Sequence, residues 1–126
     1  MAGESILVVD DNPLNMKLLS FLLSKRGYVV RCASDGKEAL ALLRELRPAL
    51  ILMDMQMPGI DGFELTRRLK ADPATRGIIV IAVTAYAMKG DEQRVREAGC
   101  DGYLAKPIDT RSLPQVVASH LSGRTP

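Results

Sequence analysis

Residues 50–59 read LILMDMQMPG, a short apolar run that ends at an acid and a turn. Four consecutive apolar residues between Pro48 and the Pro58-Gly59 pair are typical of a strand that is buried on both faces. Asp54 follows that run, and ligands bind at the carboxyl ends of the strands in parallel α/β sheets. Asp54 is therefore a candidate reactive carboxylate, while a helix cap or a solvated loop acid would explain this stretch alone equally well.

On both sides of this strand, apolar runs alternate with segments of helical periodicity. The predicted strands are 5–9, 28–33, 50–53, 78–83 and 102–105, and the predicted helices are 14–26, one between Gly36 and Pro48, 63–71, 89–98 and one that ends near Leu121. Near-continuous apolar strands indicate a parallel sheet with both faces covered. We therefore predict a doubly wound, flavodoxin-like α/β fold with five helices and a five-stranded parallel sheet in the order 2-1-3-4-5.

Length and composition limit the classes of protein. A chain of 126 residues with 47% apolar residues fits one domain, 1–126, with a frayed tail at about 122–126. Its 17 basic and 15 acidic residues are too balanced for direct nucleic-acid binding. The apolar runs are shorter than the ~20 residues of a membrane span, and the first residues lack a signal peptide's pattern. We expect a cytoplasmic protein in which Cys32 and Cys100 are reduced thiols.

Polar side chains stand at the carboxyl ends of four predicted strands. Asp10-Asp11, Asp54, Thr84 and Lys106 would share one rim of the sheet in the predicted order. Three carboxylates so close together raise one another's pKa unless a cation compensates, and hard oxygen ligands favour Mg²⁺. A divalent ion beside a carboxylate, a hydroxyl and a lysine suits a phosphoryl group, with Asp54 as its acceptor.

These residues resemble a known family. The likeness to the response-regulator receiver domain of two-component signalling covers nearly the whole chain and rests on Asp10-Asp11, Asp54, the run 57–62 (MPGIDG), Thr84-Ala85 and Lys106-Pro107. The resemblance implies a phosphoacceptor that assists its own Mg²⁺-dependent phosphorylation and dephosphorylation, without being an enzyme that acts on other molecules. Its expected partners are a histidine kinase or a histidine phosphotransfer protein and a downstream protein target.

The resemblance also implies a role for each site residue. Asp54 would accept the phosphoryl group, and Lys106 would contact its oxygens. Asp11 would bind Mg²⁺ directly, Asp10 through water, Asp54 through its carboxylate, and Gln56 through its backbone carbonyl. The remaining expectations are a switch made by Thr84 and Tyr103, and a partner surface made by Leu14, Leu18, Met88, Lys89 and Tyr103.

Three alternatives remain open from the residues. A phosphatase of the haloacid-dehalogenase type would share the nucleophilic carboxylate, but it has Asp-x-Asp where this chain has Gln56, and no room exists for a capping domain. A flavodoxin-like electron carrier needs a hydroxyl-rich phosphate loop, whereas residues 10–13 read DDNP and the chain has no Trp. The third is a receiver domain that was originally part of a hybrid kinase.

Overall fold

The computed structural model describes residues 3–57, 59, 61–84, 89–106 and 108–123. The elements in chain order are β1 (Ser5–Val9), α1 (Pro13–Ser24), β2 (Val29–Ala33), α2 (Gly36–Leu42), β3 (Leu50–Asp54), α3 (Gly62–Ala71), β4 (Ile79–Thr84), α4 (Lys89–Ala98), β5 (Gly102–Ala105) and α5 (Ser112–Gly123). All strands are parallel, in the order β2-β1-β3-β4-β5. The predicted fold class is confirmed.

The two faces of the sheet bury separate apolar clusters, because successive side chains of a strand point to opposite faces. One cluster joins alternate residues of β1, β3 and β4 to α1 and α5, through side chains such as Leu19, Leu23 and Leu113. The other cluster joins the remaining strand residues to α2, α3 and α4, through side chains such as Leu65 and Val95. Every residue of β3 and β4 is buried. Helices on both faces therefore hold the two central strands.

Side-chain caps explain where the helices begin. The Asn12 side chain accepts hydrogen bonds from the backbone N–H groups of Leu14 (2.9 Å) and Asn15 (3.2 Å), and Pro13 occupies the first turn of α1. The Asp61 carboxylate accepts one from Glu64 (2.8 Å) at the start of α3. These bonds satisfy donors that a helix amino terminus leaves unpaired. The caps therefore fix the residues directly before α1 and α3, and Asn12 directly follows the acid pair Asp10-Asp11.

Several boundaries differ from the prediction by one or more residues, among them those of α2, β3 and α5. Helix α2 ends at Leu42, well before Pro48. After it, the Glu45 N–H donates to the Leu42 carbonyl (3.0 Å) in a tighter turn, and the Arg47 guanidinium donates to the Leu43 and Leu46 carbonyls. Asp54 is the last residue of β3, paired with Val83, where the prediction ended the strand one residue earlier. Helix α5 ends at Gly123, two residues after the predicted end near Leu121, and residues 124–126 lie outside the described part.

A late helix start also resolves the position of Pro114. Helix α5 begins at Ser112, so Pro114 lies in the first turn, where its missing N–H group leaves no hydrogen bond broken.

No helix in the described part of the chain is long and apolar enough to cross a membrane.

One ion pair ties α3 to the strands at the amino-terminal edge of the sheet. The Lys70 ammonium donates to the Ile78 carbonyl (2.8 Å), the Arg76 carbonyl (3.2 Å) and the Asp101 carboxylate (2.9 Å). The same carboxylate oxygen accepts the Val80 N–H (2.9 Å). Helix α3, the start of β4 and the turn before β5 therefore meet at one lysine, which we call the Lys70 junction.

Candidate active site

Four polar side chains that the sequence places at strand ends lie at the same edge of the sheet. Asp10 follows β1, Asp54 ends β3, Thr84 ends β4 and Lys106 follows β5. The strand order makes these ends neighbours, and the backbone N–H of Lys106 donates to the Thr84 carbonyl (2.8 Å). The predicted convergence is therefore present in the structure.

The two carboxylate oxygens of Asp54 differ in their contacts. The side chain is 1% exposed. Its Oδ1 accepts the backbone N–H of Gln56 (3.0 Å) and lies 3.3 Å from the Lys106 ammonium. Its Oδ2 is buried and has no hydrogen-bond partner among the described residues. One oxygen is thus held in position while the lone pairs of the other are available to an incoming electrophile or cation.

Two further carboxylates stand beside Asp54. Asp10, Asp11 and Asp54 each offer one oxygen, and these oxygens lie within 4.8 Å of one another. Asp10 is buried and accepts the Asn12 N–H (2.8 Å), whereas Asp11 is exposed. Oxygen ligands at this spacing, with open positions for water, fit Mg²⁺. The unpartnered Oδ2 of Asp54 supports that fit, because a buried carboxylate oxygen without a donor is stabilised by a cation.

Burial raises the pKa of Asp54. The hydrogen bond from the Gln56 N–H lowers this pKa, the negative charge of Asp10 raises it, and the positive charge of Lys106 lowers it. Because the pKa of this acid is higher in the folded protein, its stabilising effect is present below the unfolded-state pKa and is lost as the pH rises through the folded-state pKa. Ionisation of Asp54 as the pH rises through its folded-state pKa therefore lowers the stability of the fold, and a bound cation would offset the loss.

The Gln56 side chain makes a contact that the sequence analysis did not anticipate. Its amide nitrogen Nε2 donates to the hydroxyl oxygen of Thr84 (2.8 Å) across the ends of β3 and β4. The sequence analysis considered only its backbone carbonyl as a metal ligand. The available signal was its place two residues after Asp54, where a long amide side chain can reach the next strand.

The residues predicted as a switch lie on adjacent strands. Thr84 is buried, and the half-buried Tyr103 packs against the cluster beneath α2, α3 and α4. Ala82 of β4 is paired with Tyr103 of β5. Thr84 is therefore two residues beyond the register partner of Tyr103, on the same face of the sheet.

Two residues of the predicted partner surface lie on α1. Leu14 is 78% and Leu18 is 42% exposed, and Phe21 beside them is 61% exposed. Leu19 and Leu23 on the opposite side of α1 are buried. A groove of about 520 Å³ runs between α1 and Cys32 of β2, with Leu14 and Phe21 among its lining residues. We call Leu14, Leu18 and Phe21 the α1 face.

The other predicted partner residues are less completely described. Lys89 begins α4, and Met88 lies outside the described residues, as does Pro107 next to Lys106. Both Cys32 and Cys100 are free thiols, as predicted. Burial raises the pKa of Cys100 to about 11, so this thiol stays protonated at neutral pH and is a poor nucleophile.

A buried carboxylate with two neighbouring acids, a hydroxyl and a lysine at the carboxyl edge of a five-stranded parallel sheet defines a class of signalling domain. Residues 6–118 match the response regulator receiver domain, and the chain belongs to this family. It is 49% identical to the polar-differentiation response regulator DivK of Brucella anthropi over 118 residues, which cover 94% of this chain and 96% of that protein. DivK of Brucella abortus is 48% identical with the same coverage.

Solved structures show the same fold. A response regulator from Chloroflexus aurantiacus superimposes with a TM-score of 0.91 at 32% identity, covering 95% of this chain and 98% of that one. The receiver domain of a sensor histidine kinase from Pseudomonas aeruginosa gives 0.87 at 36% identity, covering 96% and 99%. That receiver domain holds a magnesium ion in its active-site cleft.

Proposed function

We propose that this chain is a single-domain response regulator that accepts a phosphoryl group from a phosphohistidine onto Asp54, depends on Mg²⁺, and signals by binding another protein. The observation that carries the proposal is the buried Asp54, which has one oxygen held by Gln56 and Lys106 and the other unpartnered. Phosphotransfer from candidate histidine kinases and histidine phosphotransfer proteins, followed as loss of label from the donor, tests it.

The proposed reaction forms one bond and breaks one. A carboxylate oxygen of Asp54 attacks the phosphorus of the donor's phosphohistidine, a P–O bond forms, and the P–N bond breaks with its electron pair returning to the imidazole nitrogen. The Gln56 N–H orients the carboxylate, and the Lys106 ammonium stands where negative charge on the transferring group needs a partner. Thr84 would then bond a phosphoryl oxygen.

Asp10, Asp11, Asp54 and the Gln56 backbone carbonyl would hold the metal ion. When bound, Mg²⁺ supplies positive charge for the phosphoryl oxygens as negative charge redistributes during transfer. The residues themselves position the acceptor and neutralise part of the charge. The chain thereby assists its own phosphorylation and dephosphorylation without acting as an enzyme on other molecules.

We expect Mg²⁺ to raise the melting temperature of the protein at pH 7.5, because it relieves repulsion among Asp10, Asp11 and Asp54. At a free concentration ten times the Kd the stabilisation is about 1.4 kcal/mol. The difference between Mg²⁺ and EDTA should shrink as the pH falls through the raised pKa of Asp54, since protons then compete with the metal. Differential scanning fluorimetry across pH measures this effect.

Asp11→Ala removes the most exposed of the three acids and should abolish the Mg²⁺ response. Asp109→Ala, an exposed acid that follows the same edge, serves as the matched control and should retain the response. A full Mg²⁺ response in Asp11→Ala would show that the metal binds elsewhere.

We further propose that the α1 face docks the phosphoryl donor. Leu18→Ala should slow phosphotransfer from a partner protein about tenfold, the loss expected for one well-packed interface side chain. Labelling by acetyl phosphate, which needs no docking, should stay at the wild-type rate. Stopped-time phosphotransfer assays with both donors measure the difference.

Val29→Ala is the control for this test, because Val29 is an apolar side chain on the edge strand β2 with 54% exposure, outside the α1 face. It should leave both rates unchanged. Equal loss with both donors in Leu18→Ala would mean that Leu18 supports the fold and does not contact a partner.

For the output, we propose that phosphorylation strengthens binding of a protein target through Tyr103, Lys89, Met88 and their neighbours. The half-burial of Tyr103 beside β4 supports its part in this surface, because its side chain could change position when Thr84 moves. The similarity to the polar-differentiation regulator DivK supports a role in cell-cycle or developmental control, in the cytoplasm. Output through a protein needs no direct contact with nucleic acid.

The second candidate is a receiver domain that works within a hybrid kinase. The similarity to the receiver domain of a Pseudomonas sensor histidine kinase favours it. Higher identity to DivK, over 96% of that protein, favours the stand-alone regulator. The two are distinguished by whether the full gene product carries a kinase module.

A further inference from the structure

The hydrogen bond between Gln56 and Thr84 engages the hydroxyl that the proposed reaction needs. Gln56 Nε2 donates to Thr84 Oγ1 over 2.8 Å, while the backbone N–H of the same Gln56 donates to Asp54 Oδ1 over 3.0 Å. One residue therefore donates hydrogen bonds to both the acceptor carboxylate and the predicted switch hydroxyl. By accepting this hydrogen bond from the amide, the Thr84 hydroxyl is held in one position at the end of β4.

We propose that the Gln56 side chain is a latch that keeps Thr84 in its resting position and so sets how readily the domain enters the phosphate-bound state. The inference rests on the proposed function of Asp54. Gln56 is a positioning residue in this scheme: its amide acts through Thr84 and not on the phosphoryl group.

The strength of the latch follows from its surroundings. Thr84 is buried, but Gln56 is exposed, so water competes for the amide once it leaves the hydroxyl. A neutral hydrogen bond in such a place shifts an equilibrium by about two- to tenfold. A latch of this strength holds the resting state without preventing the switch, because the phosphoryl group offers stronger, charge-assisted bonds.

Loss of the latch has a measurable consequence for ligand affinity. If the Gln56–Thr84 bond favours the resting state, the apparent Kd of a phosphoryl mimic equals its intrinsic Kd divided by the fraction of protein that is competent to bind it. Removing the bond should tighten binding of the mimic by the same two- to tenfold.

The test uses Gln56→Met, which keeps the length of the side chain and removes its donor. The probe is beryllofluoride in the presence of Mg²⁺, titrated against the full chain, with Mg²⁺ affinity measured separately so that altered metal binding is not counted as release of the latch. We expect the beryllofluoride Kd to fall two- to tenfold. We also expect the Thr84 methyl resonance of the ligand-free variant to move toward its position in the beryllofluoride complex.

Gln93→Met is the matched control. The side-chain amide of Gln93 also donates a hydrogen bond, to the Glu97 carboxylate (3.0 Å), on the exposed side of α4. It should leave the Kd and the Thr84 methyl resonance unchanged. Equal tightening in Gln93→Met, or a wild-type Kd and methyl resonance in Gln56→Met, would overturn the latch while leaving Asp54 as the acceptor. If the wild-type chain does not bind beryllofluoride, or Asp54→Asn binds it equally well, the proposed function fails and the latch with it.

Discussion

Asp54→Asn should abolish phosphorylation by acetyl phosphate and by phosphohistidine donors, to below about 1% of the wild-type rate. The amide nitrogen or oxygen of Asn lacks the charge and nucleophilicity of the carboxylate oxygen that the structure leaves unpartnered. Label incorporation and intact mass measure the loss. This is the largest effect that we expect from a single substitution.

Loss of labelling in this variant should not come from unfolding. The pKa of Asp54 is raised by burial, so replacing the ionised carboxylate with a neutral amide should increase the melting temperature in EDTA at neutral pH. Asp35→Asn is the control: Asp35 follows β2 at the same edge and caps α2, a role that Asn performs equally well. Stoichiometric modification of another carboxylate in Asp54→Asn would contradict the assignment.

Gly62→Ala should be the most destabilising single-methyl change in the part of the chain that the structure describes. A Cβ at Gly62 would lie 2.5 Å from the Asp54 carbonyl oxygen, 2.5 Å from the Met55 sulfur and 2.8 Å from Met55 Cα. Two of these atoms belong to the backbone and cannot rotate away. We expect the free energy of unfolding to fall by about 3 kcal/mol, the upper end of the range for overpacked side chains. We also expect phosphorylation to slow, because the strain moves Asp54.

Gly77→Ala is the matched control for this substitution. A Cβ at Gly77 meets nothing within 4 Å, and its backbone is not in the left-handed region. The melting temperature should therefore stay within a degree or two or rise slightly. Urea denaturation of both variants measures the difference, and a stable, fully active Gly62→Ala protein would show that α3 can shift away from β3.

Most of the fold follows from local patterns in the sequence. Both central strands are buried on two faces, so their apolar runs have no polar interruptions and are easy to recognise. The acids and the lysine that define the site directly follow such runs, and the parallel order then brings them together. Residues such as Asp54 and Lys106 could thus be placed before the structure was known.

Features that depend on contacts between distant residues could not be predicted in the same way. Helix α1 carries apolar residues on more than one side, and periodicity could not indicate which side faces the sheet, because that depends on how the helix packs against β1 and β2. The end of α2 depends on Arg47 reaching back to carbonyl groups, and the Gln56–Thr84 bond joins residues 28 positions apart. Position 62 has no space for a side chain because α3 comes close to the end of β3 there, and no local sequence pattern reveals this approach.

The Lys70 junction lies at the edge of the sheet opposite the candidate site. It holds α3, β4 and the turn before β5 at the edge of the sheet opposite Asp54, with four hydrogen bonds among Lys70, Asp101 and backbone groups. Buried central strands open at higher free energies than exposed loops do, and every residue of β4 is buried. By holding the end of α3 to the start of β4, the junction anchors this helix to one of the most stable parts of the sheet.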